Sequence, residues 1–159
     1  MSNSVKLSDL KNPINFLALG LGSGLSPKAP GTAGSLLAVC LYMLFLQQLP
    51  LWAFLGIILV AAFAGIAICG YTAKQLGVDD HPAIVWDEFA GQWIALICVV
   101  DWVSALGAFV LFRIFDIAKP GPIGWLDKKL HSGLGIMADD LLAGIAALLS
   151  LQFLIMMFA

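Results

Sequence analysis

LWAFLGIILVAAFAGIAICG, residues 51–70, contains no charged side chain and no proline, and it decides which solvent this chain folds in. A helix needs about 20 apolar residues to cross a hydrocarbon core. A membrane span is therefore expected from Leu51 to Gly70. The surrounding composition agrees: 61% of the 159 residues are hydrophobic, 11% are charged, and the mean hydropathy is +0.98. A soluble domain carries about 25% charged residues. Eight Lys and Arg with ten Asp and Glu cannot cover a water-exposed globule of 16.9 kDa. Lipid must be part of the solvent. The length fits one domain over residues 1–159.

Working outward, Ala33 to Leu49 reads as a shorter span ending at Gln47-Gln48-Leu49-Pro50. Phe89 to Phe112 is long enough for one span but contains Asp101. A lone carboxylate at mid-membrane costs roughly 2.5–3.5 kcal/mol on insertion scales. Two short helices with a turn near Asp101-Trp102 are expected instead, over Ile84–Val100 and Val103–Phe115. Gly135 to Phe158 is the last span, with Asp139 and Asp140 in its first turn. The expected fold class is all-α: an integral membrane helical bundle of about five short spans with cytoplasmic loops. No secretory cleavage pattern is expected, since the first apolar stretch, Ile14 to Leu21, is short and lacks a small-residue cleavage site. Cys40, Cys69 and Cys98 lie far apart inside apolar runs, so buried packing is expected rather than disulfides or metal ligation.

Charge placement sets the orientation. Lys6, Lys11 and Lys28 precede the first span, and Lys74 lies between the second and third. Arg113, Lys119, Lys128 and Lys129 lie between the fourth and fifth. The other side offers only Gln47, Gln48 and Asp101. The positive-inside rule makes the basic side cytoplasmic, with the N-terminus in and the C-terminus out. The segments rich in Gly, Pro and charge (20–34, 71–91 and 113–140) share that face, so separated stretches can converge on one site. No internal repeat supports an inverted-repeat transporter.

The first of these segments contains GSGLSPKAPGTAGS, residues 22–35. Its Pro and Gly density specifies a fixed loop, with Thr32 able to cap the following helix. Loop amides and a helix N-terminus can cradle phosphate, but no Gly-Lys-Ser/Thr of a P-loop follows. In the second, Asp87 and Glu88 stand beside an apolar helix and are candidate metal ligands, because acids near lipid are costly unless paired. Gly91, one turn after Asp87, would admit a neighbouring helix. Asp79 and Asp80 read as loop solvation or as supports, and His81 as a turn residue or a proton shuttle. In the third, Arg113, Asp116 and Lys119 at i, i+3 and i+6 form a basic–acidic–basic stripe, either a salt-bridge ladder or a metal-bridged phosphate site. Lys128 and Lys129 read as contacts to anionic headgroups. In the fourth, Asp139 and Asp140 open the last helix, and Asp140 shares a face with Gly144. Neighbouring helical residues point about 100° apart, so one should ligate and the other orient. All-oxygen ligands without a Cys or His cluster favour Mg²⁺ over zinc.

GSGLSPKAPGTAGS (22–35), IVWDEF (84–89), FRIFDIAKP (112–120) and GIMADDLLAG (135–144) closely resemble the motifs of the phosphatidylglycerophosphatase A family. The likeness runs from about Leu17 to Gly144. It implies a Mg²⁺-dependent phosphatase of the bacterial inner membrane that hydrolyses the terminal phosphate of phosphatidylglycerophosphate to phosphatidylglycerol and inorganic phosphate. The signatures of CDP-alcohol phosphotransferases and of Pro-Ser-Gly-His phosphatidic-acid phosphatases are missing.

The expected site follows. Asp87, Glu88, Asp116 and Asp139 or Asp140 hold Mg²⁺, while Lys28, Thr32, Arg113 and Lys119 bind phosphate. Asp87, Asp116, Asp140 and Lys119 carry the chemistry, and water or a carboxylate is the nucleophile. The partners are phosphatidylglycerophosphate in the bilayer and membrane lipids, with no nucleic acid. Two other classes compete: a small transporter or channel, which needs polar groups deep in several spans, and a lipid-binding scaffold, which gives the carboxylates no task.

Overall fold

The computed structural model of the chain describes residues 5–129 and 132–158, and at 126–129 and 132 the backbone alone. Among these residues every regular element is helical. A short 3-10 turn (Leu7–Lys11) leads into α1 (Pro13–Ala18), and a second (Gly20–Leu25) into α2 (Pro30–Leu44). A third (Leu46–Gln48) precedes α3 (Leu51–Leu76), then follow α4 (Trp86–Ala95), α5 (Trp102–Ala118), α6 (Pro122–Lys129) and α7 (Ser132–Phe158). The side chains of Lys128 and Lys129, expected at headgroups, lie outside the described residues.

At 1.5 Å rise per residue, α3 (26 residues) and α7 (27 residues) are each about 40 Å long. Among the described residues they are the two helices long and apolar enough to cross a membrane. The other expected spans are shorter: α2 has 15 residues, α4 has 10 and α5 has 17. Exposed Val60 and Phe63 on α3, Leu106 and Ile114 on α5, and Leu149 and Met156 on α7 present apolar faces to the surroundings. Faces of that kind and extent suit lipid rather than water. The chain is built for membrane association.

α7 runs through the middle, against α4, α3, α5 and α6, and α2 covers the other side of α4. Glycines permit the close crossings. A Cβ at Gly144 would overlap the Gly91 carbonyl oxygen, and one at Gly91 would meet the Asp140 carbonyl at 2.5 Å. The expected closeness at Gly91 is therefore a crossing of α4 with α7. Trp93 Nε1 donates to the Ala38 carbonyl (3.1 Å) and Trp86 Nε1 to the Ala61 carbonyl (3.0 Å), which ties α4 to α2 and α3. At the end of the bundle where α4 turns into α5, Tyr42 donates to the Val99 carbonyl (2.7 Å) and Gln47 to the Val100 carbonyl (2.6 Å).

Three local readings change. α7 begins at Ser132, so Asp139 and Asp140 lie in its third turn rather than its first. Thr32 does not cap: α2 starts at Pro30, with Ala29 as its N-cap in the left-handed region, because proline suits the first helical position. Thr32 lies inside the first turn. Cys98 is exposed in the turn after α4 and has φ +65°, whereas Cys69 is buried as expected.

The turn at Asp101 forms as read. Its Oδ1 accepts from the amides of Val103 and Ser104 (2.9 Å each), and its Oδ2 from the Ser104 hydroxyl (2.7 Å). The Ser104 amide and hydroxyl bind the charged form and hold this carboxyl below the usual carboxylate range. A depressed folded value contributes stability above the ordinary carboxylate range, and that contribution is lost as pH falls through the depressed value. Asp101→Ala should thus lower the unfolding temperature in detergent at neutral pH, as loss of an N-cap does. Its gap from the wild type should narrow in strong acid. A gap independent of pH would refute the charged cap.

Candidate functional site

Asp87 and Glu88 occupy the first turn of α4, and Asp140 follows the first two turns of α7. Gly91 lies one turn beyond Asp87, and Gly144 one turn beyond Asp140. The α4–α7 crossing at those glycines therefore fixes how closely the acids meet. One carboxylate oxygen from each of Asp87, Glu88 and Asp140 lies within 4.8 Å of the others. Asp116 on α5 is tied to them through Arg113, whose guanidinium contacts both Asp116 and Glu88.

This cluster is buried, with Asp140 3% exposed and Asp87 9%. Among the described residues, Asp87 Oδ1, Glu88 Oε2 and Asp140 Oδ2 have no hydrogen-bond partner. Two like charges 4 Å apart repel by about 4 kcal/mol at an effective dielectric constant of 20. Carboxylates this close must share protons or a cation. Hard, all-oxygen donors with unmet lone pairs are what Mg²⁺ or another hard divalent ion takes up. The residues fit such an ion.

The basic side chains are held by acids around this centre. Arg113 Nη1 lies 2.6 Å from Asp116 Oδ2 and 3.9 Å from Glu88 Oε1, and it donates to Ser35 Oγ at 3.3 Å. Ser35 in turn donates to the Gly31 carbonyl (2.9 Å). Gly31 has no room for a side chain, since a Cβ there would overlap Glu88 Oε1. The sequence places Lys119 on one stripe with Arg113 and Asp116, but the helix stops at Ala118. The residue before a proline is disfavoured in α geometry, and Lys119, preceding Pro120, turns into the left-handed region at φ +43°. From there its Nζ reaches Asp139 Oδ2 at 2.6 Å. The adjacent aspartates thus diverge, Asp140 into the carboxylate cluster and Asp139 onto Lys119.

A cavity of about 170 Å³ opens over these groups, walled by Asp87, Glu88, Asp116, Lys119, Asp139 and Asp140 and on its outer side by Asp79, Asp80 and His81. His81 Nδ1 accepts from the Ala83 amide at 3.1 Å. Lys28 and Thr32 are not among the lining residues; Lys28 is exposed, and Thr32 faces an apolar groove beside Arg113. The cavity is also recessed. Trp86, next to Asp87, bonds to Ala61 midway along α3. The acids therefore lie well inside the ends of the long helices rather than flush with them, beside the segment 79–84.

Three participants escaped the sequence reading. Ser35 and Gly31 position Arg113 and Glu88, which only the packing of α2 against α4 and α5 reveals. Gln92 is fully buried with neither side-chain amide atom bonded among the described residues. Its i+4 spacing from Glu88 was the available signal.

Residues 16–155 match the sequence model of a family described as Phosphatidylglycerophosphatase A. The chain is 44% identical over 147 residues to Phosphatidylglycerophosphatase A of Escherichia coli (strain K12), a match covering 91% of this chain and 85% of that protein. It is 45% identical over 150 residues to Phosphatidylglycerophosphatase A of Haemophilus influenzae, covering 93% and 92%. A Bacteroides thetaiotaomicron protein provisionally named phosphatidylinositol-3-phosphatase is 40% identical over 139 residues, covering 82% and 86%. No solved structure matches. With the match spanning nearly the whole chain and every segment that builds the acidic cavity, this chain belongs to the phosphatidylglycerophosphatase A family.

Proposed function

We propose that the chain hydrolyses the terminal phosphate of phosphatidylglycerophosphate, with Mg²⁺ held by Asp87, Glu88, Asp140 and Asp116. The observation that carries this reading is the convergence of those carboxylates, three of them with unmet oxygens, with Lys119 in one small cavity, while Arg113 pairs with Asp116 and Glu88 at its edge. The relatives' names supply the lipid class. The helices α2, α3, α4, α5 and α7 form a bundle in the bacterial inner membrane, with the cavity open to the cytoplasm. All eight Lys and Arg fall in the segments that the sequence assigns to that side.

When bound, Mg²⁺ supplies positive charge against the phosphate oxygens as the transition state forms. Lys119, held by Asp139, donates to an oxygen of the terminal phosphate and neutralises developing charge. A carboxylate of the cluster accepts the proton of the attacking water. That water's oxygen bonds to phosphorus as the bond to the glycerol oxygen breaks. His81 stands at the outer wall with Nδ1 engaged by the Ala83 amide. Nε2 is the atom left to face the phosphate or to pass a proton to the departing glycerol oxygen. The products are phosphatidylglycerol and inorganic phosphate.

The test is phosphate release by the purified protein from phosphatidylglycerophosphate in mixed micelles. Phosphatidic acid and phosphatidylinositol 3-phosphate serve as rival substrates. Release should need Mg²⁺, fall to background with EDTA, and be fastest with phosphatidylglycerophosphate. Mg²⁺ should also raise the unfolding temperature, since a ligand bound only to the folded state stabilises it. Undiminished release in EDTA would end the metal reading, and faster release from phosphatidylinositol 3-phosphate would end the headgroup assignment.

A further inference from the structure

An apolar groove of about 460 Å³ runs between α2 and α5, walled by Phe109, Val110, Ile114 and Ile117, with Thr32 opposite. One charged residue, Arg113, interrupts it. The Arg113 guanidinium is the partition between this groove and the acidic cavity, since its Nη1 contacts Asp116 while the side chain lines the groove. Its Nε is buried and has no hydrogen-bond partner among the described residues. A guanidinium with a donor to spare, at the edge of an apolar channel, suits a phosphate diester.

We propose that the groove between α2 and α5 seats an acyl chain of the phospholipid substrate, with its diester phosphate at Arg113. This rests on the phosphatase reading above and adds the route by which the lipid reaches the cavity. The order of groups along α5 matches the order along the lipid. Val110 faces the apolar layer, Arg113 follows one turn later and Asp116 one turn after that at the cavity, where Lys119, just past the end of the helix, also stands. Successive stations are about 4.5 Å apart along the helix axis. A diacyl lipid laid in this direction presents chain, diester and terminal phosphate to apolar wall, guanidinium and carboxylate cluster in turn. A second groove of about 410 Å³, bordered by Phe115, Leu142 and Leu149, has only apolar, proline and glycine walls. It offers nothing to a phosphodiester.

The experiment uses the full chain in nanodiscs with phosphatidylglycerophosphate carrying a photoactivatable diazirine in one acyl chain. Labelling should concentrate on α2 and α5 peptides around Val110. In parallel, kcat/KM is measured for the diacyl lipid and for its deacylated headgroup. Val110→Trp should lower the diacyl-to-deacylated ratio roughly tenfold, the scale of one apolar side chain's burial. Leu149→Trp should leave that ratio unchanged. Labels on the Phe115–Leu142 side, or a ratio that falls in Leu149→Trp and not in Val110→Trp, would overturn the groove. If Val110→Trp does not fold, the labelling of the wild type decides alone. If the wild type releases no phosphate yet labels around Val110, the groove stands as a phospholipid site and the phosphatase reading fails.

Discussion

Asp140→Asn should lower phosphate release on the order of 10³-fold, the scale seen when a charge-stabilising group is removed from an active site, without loss of the folded bundle. The substitution keeps shape and volume at a position only 3% exposed, so packing is undisturbed. What changes is charge. A carboxylate oxygen of Asp140 lies within 4.8 Å of one from each of Asp87 and Glu88, so removing one negative charge relieves repulsion. In EDTA the variant should therefore melt at or above the wild-type temperature, while Mg²⁺ no longer raises it. Stability gained where activity is lost marks groups assembled for function against their mutual repulsion. Asp87→Asn should behave alike. Asp139→Asn differs, because Asp139 holds Lys119 rather than joining the cluster. It should reduce turnover less and leave the Mg²⁺ stabilisation in place. Phosphate release and thermal unfolding of the three variants, with and without Mg²⁺, check the set. Normal turnover in Asp140→Asn would remove the cation site from the mechanism.

Gly144→Val should abolish activity and lower the unfolding temperature, although residue 144 touches no substrate. Any Cβ there overlaps the Gly91 carbonyl oxygen of the facing helix. A flexible side chain could move aside, but backbone cannot yield without separating α4 from α7. Overpacking a core typically costs about 1–3 kcal/mol, and separation of these helices also pulls Asp87 and Glu88 away from Asp140. Gly91→Ala should act in the same direction through the Asp140 carbonyl. Gly56→Ala is the control, because nothing lies within 4 Å of a Cβ there. Replacing a helical glycine by alanine in open space should be neutral or slightly stabilising. Equal melting temperatures and activities for Gly144→Val and Gly56→Ala would show that the crossing does not set the site.

The sequence made the helical class legible because 51–70 and the stretch after Asp140 admit no charge, and because Asp101 forced a turn where one long apolar run would otherwise continue. The candidate acids were legible for the same reason: a carboxylate beside an apolar helix needs a partner. Thr32 and Lys119 were less so. Each depended on where a helix begins or ends, and prolines at 30 and 120 shifted those ends by one to three residues, enough to take Thr32 out of the capping position and to send Lys119 to Asp139.

By itself, then, the chain's residue order determined an apolar helical protein with its charges gathered in a few connecting segments. Patterns of that kind follow from solvation and hold wherever the helices finally lie. Which aspartate joins the cluster, which holds the lysine, and how far the cavity sinks along α3 were decided only by tertiary structure. Those outcomes depend on two glycine-lined helices meeting backbone to backbone, a contact between residues 91 and 144 that no local pattern encodes.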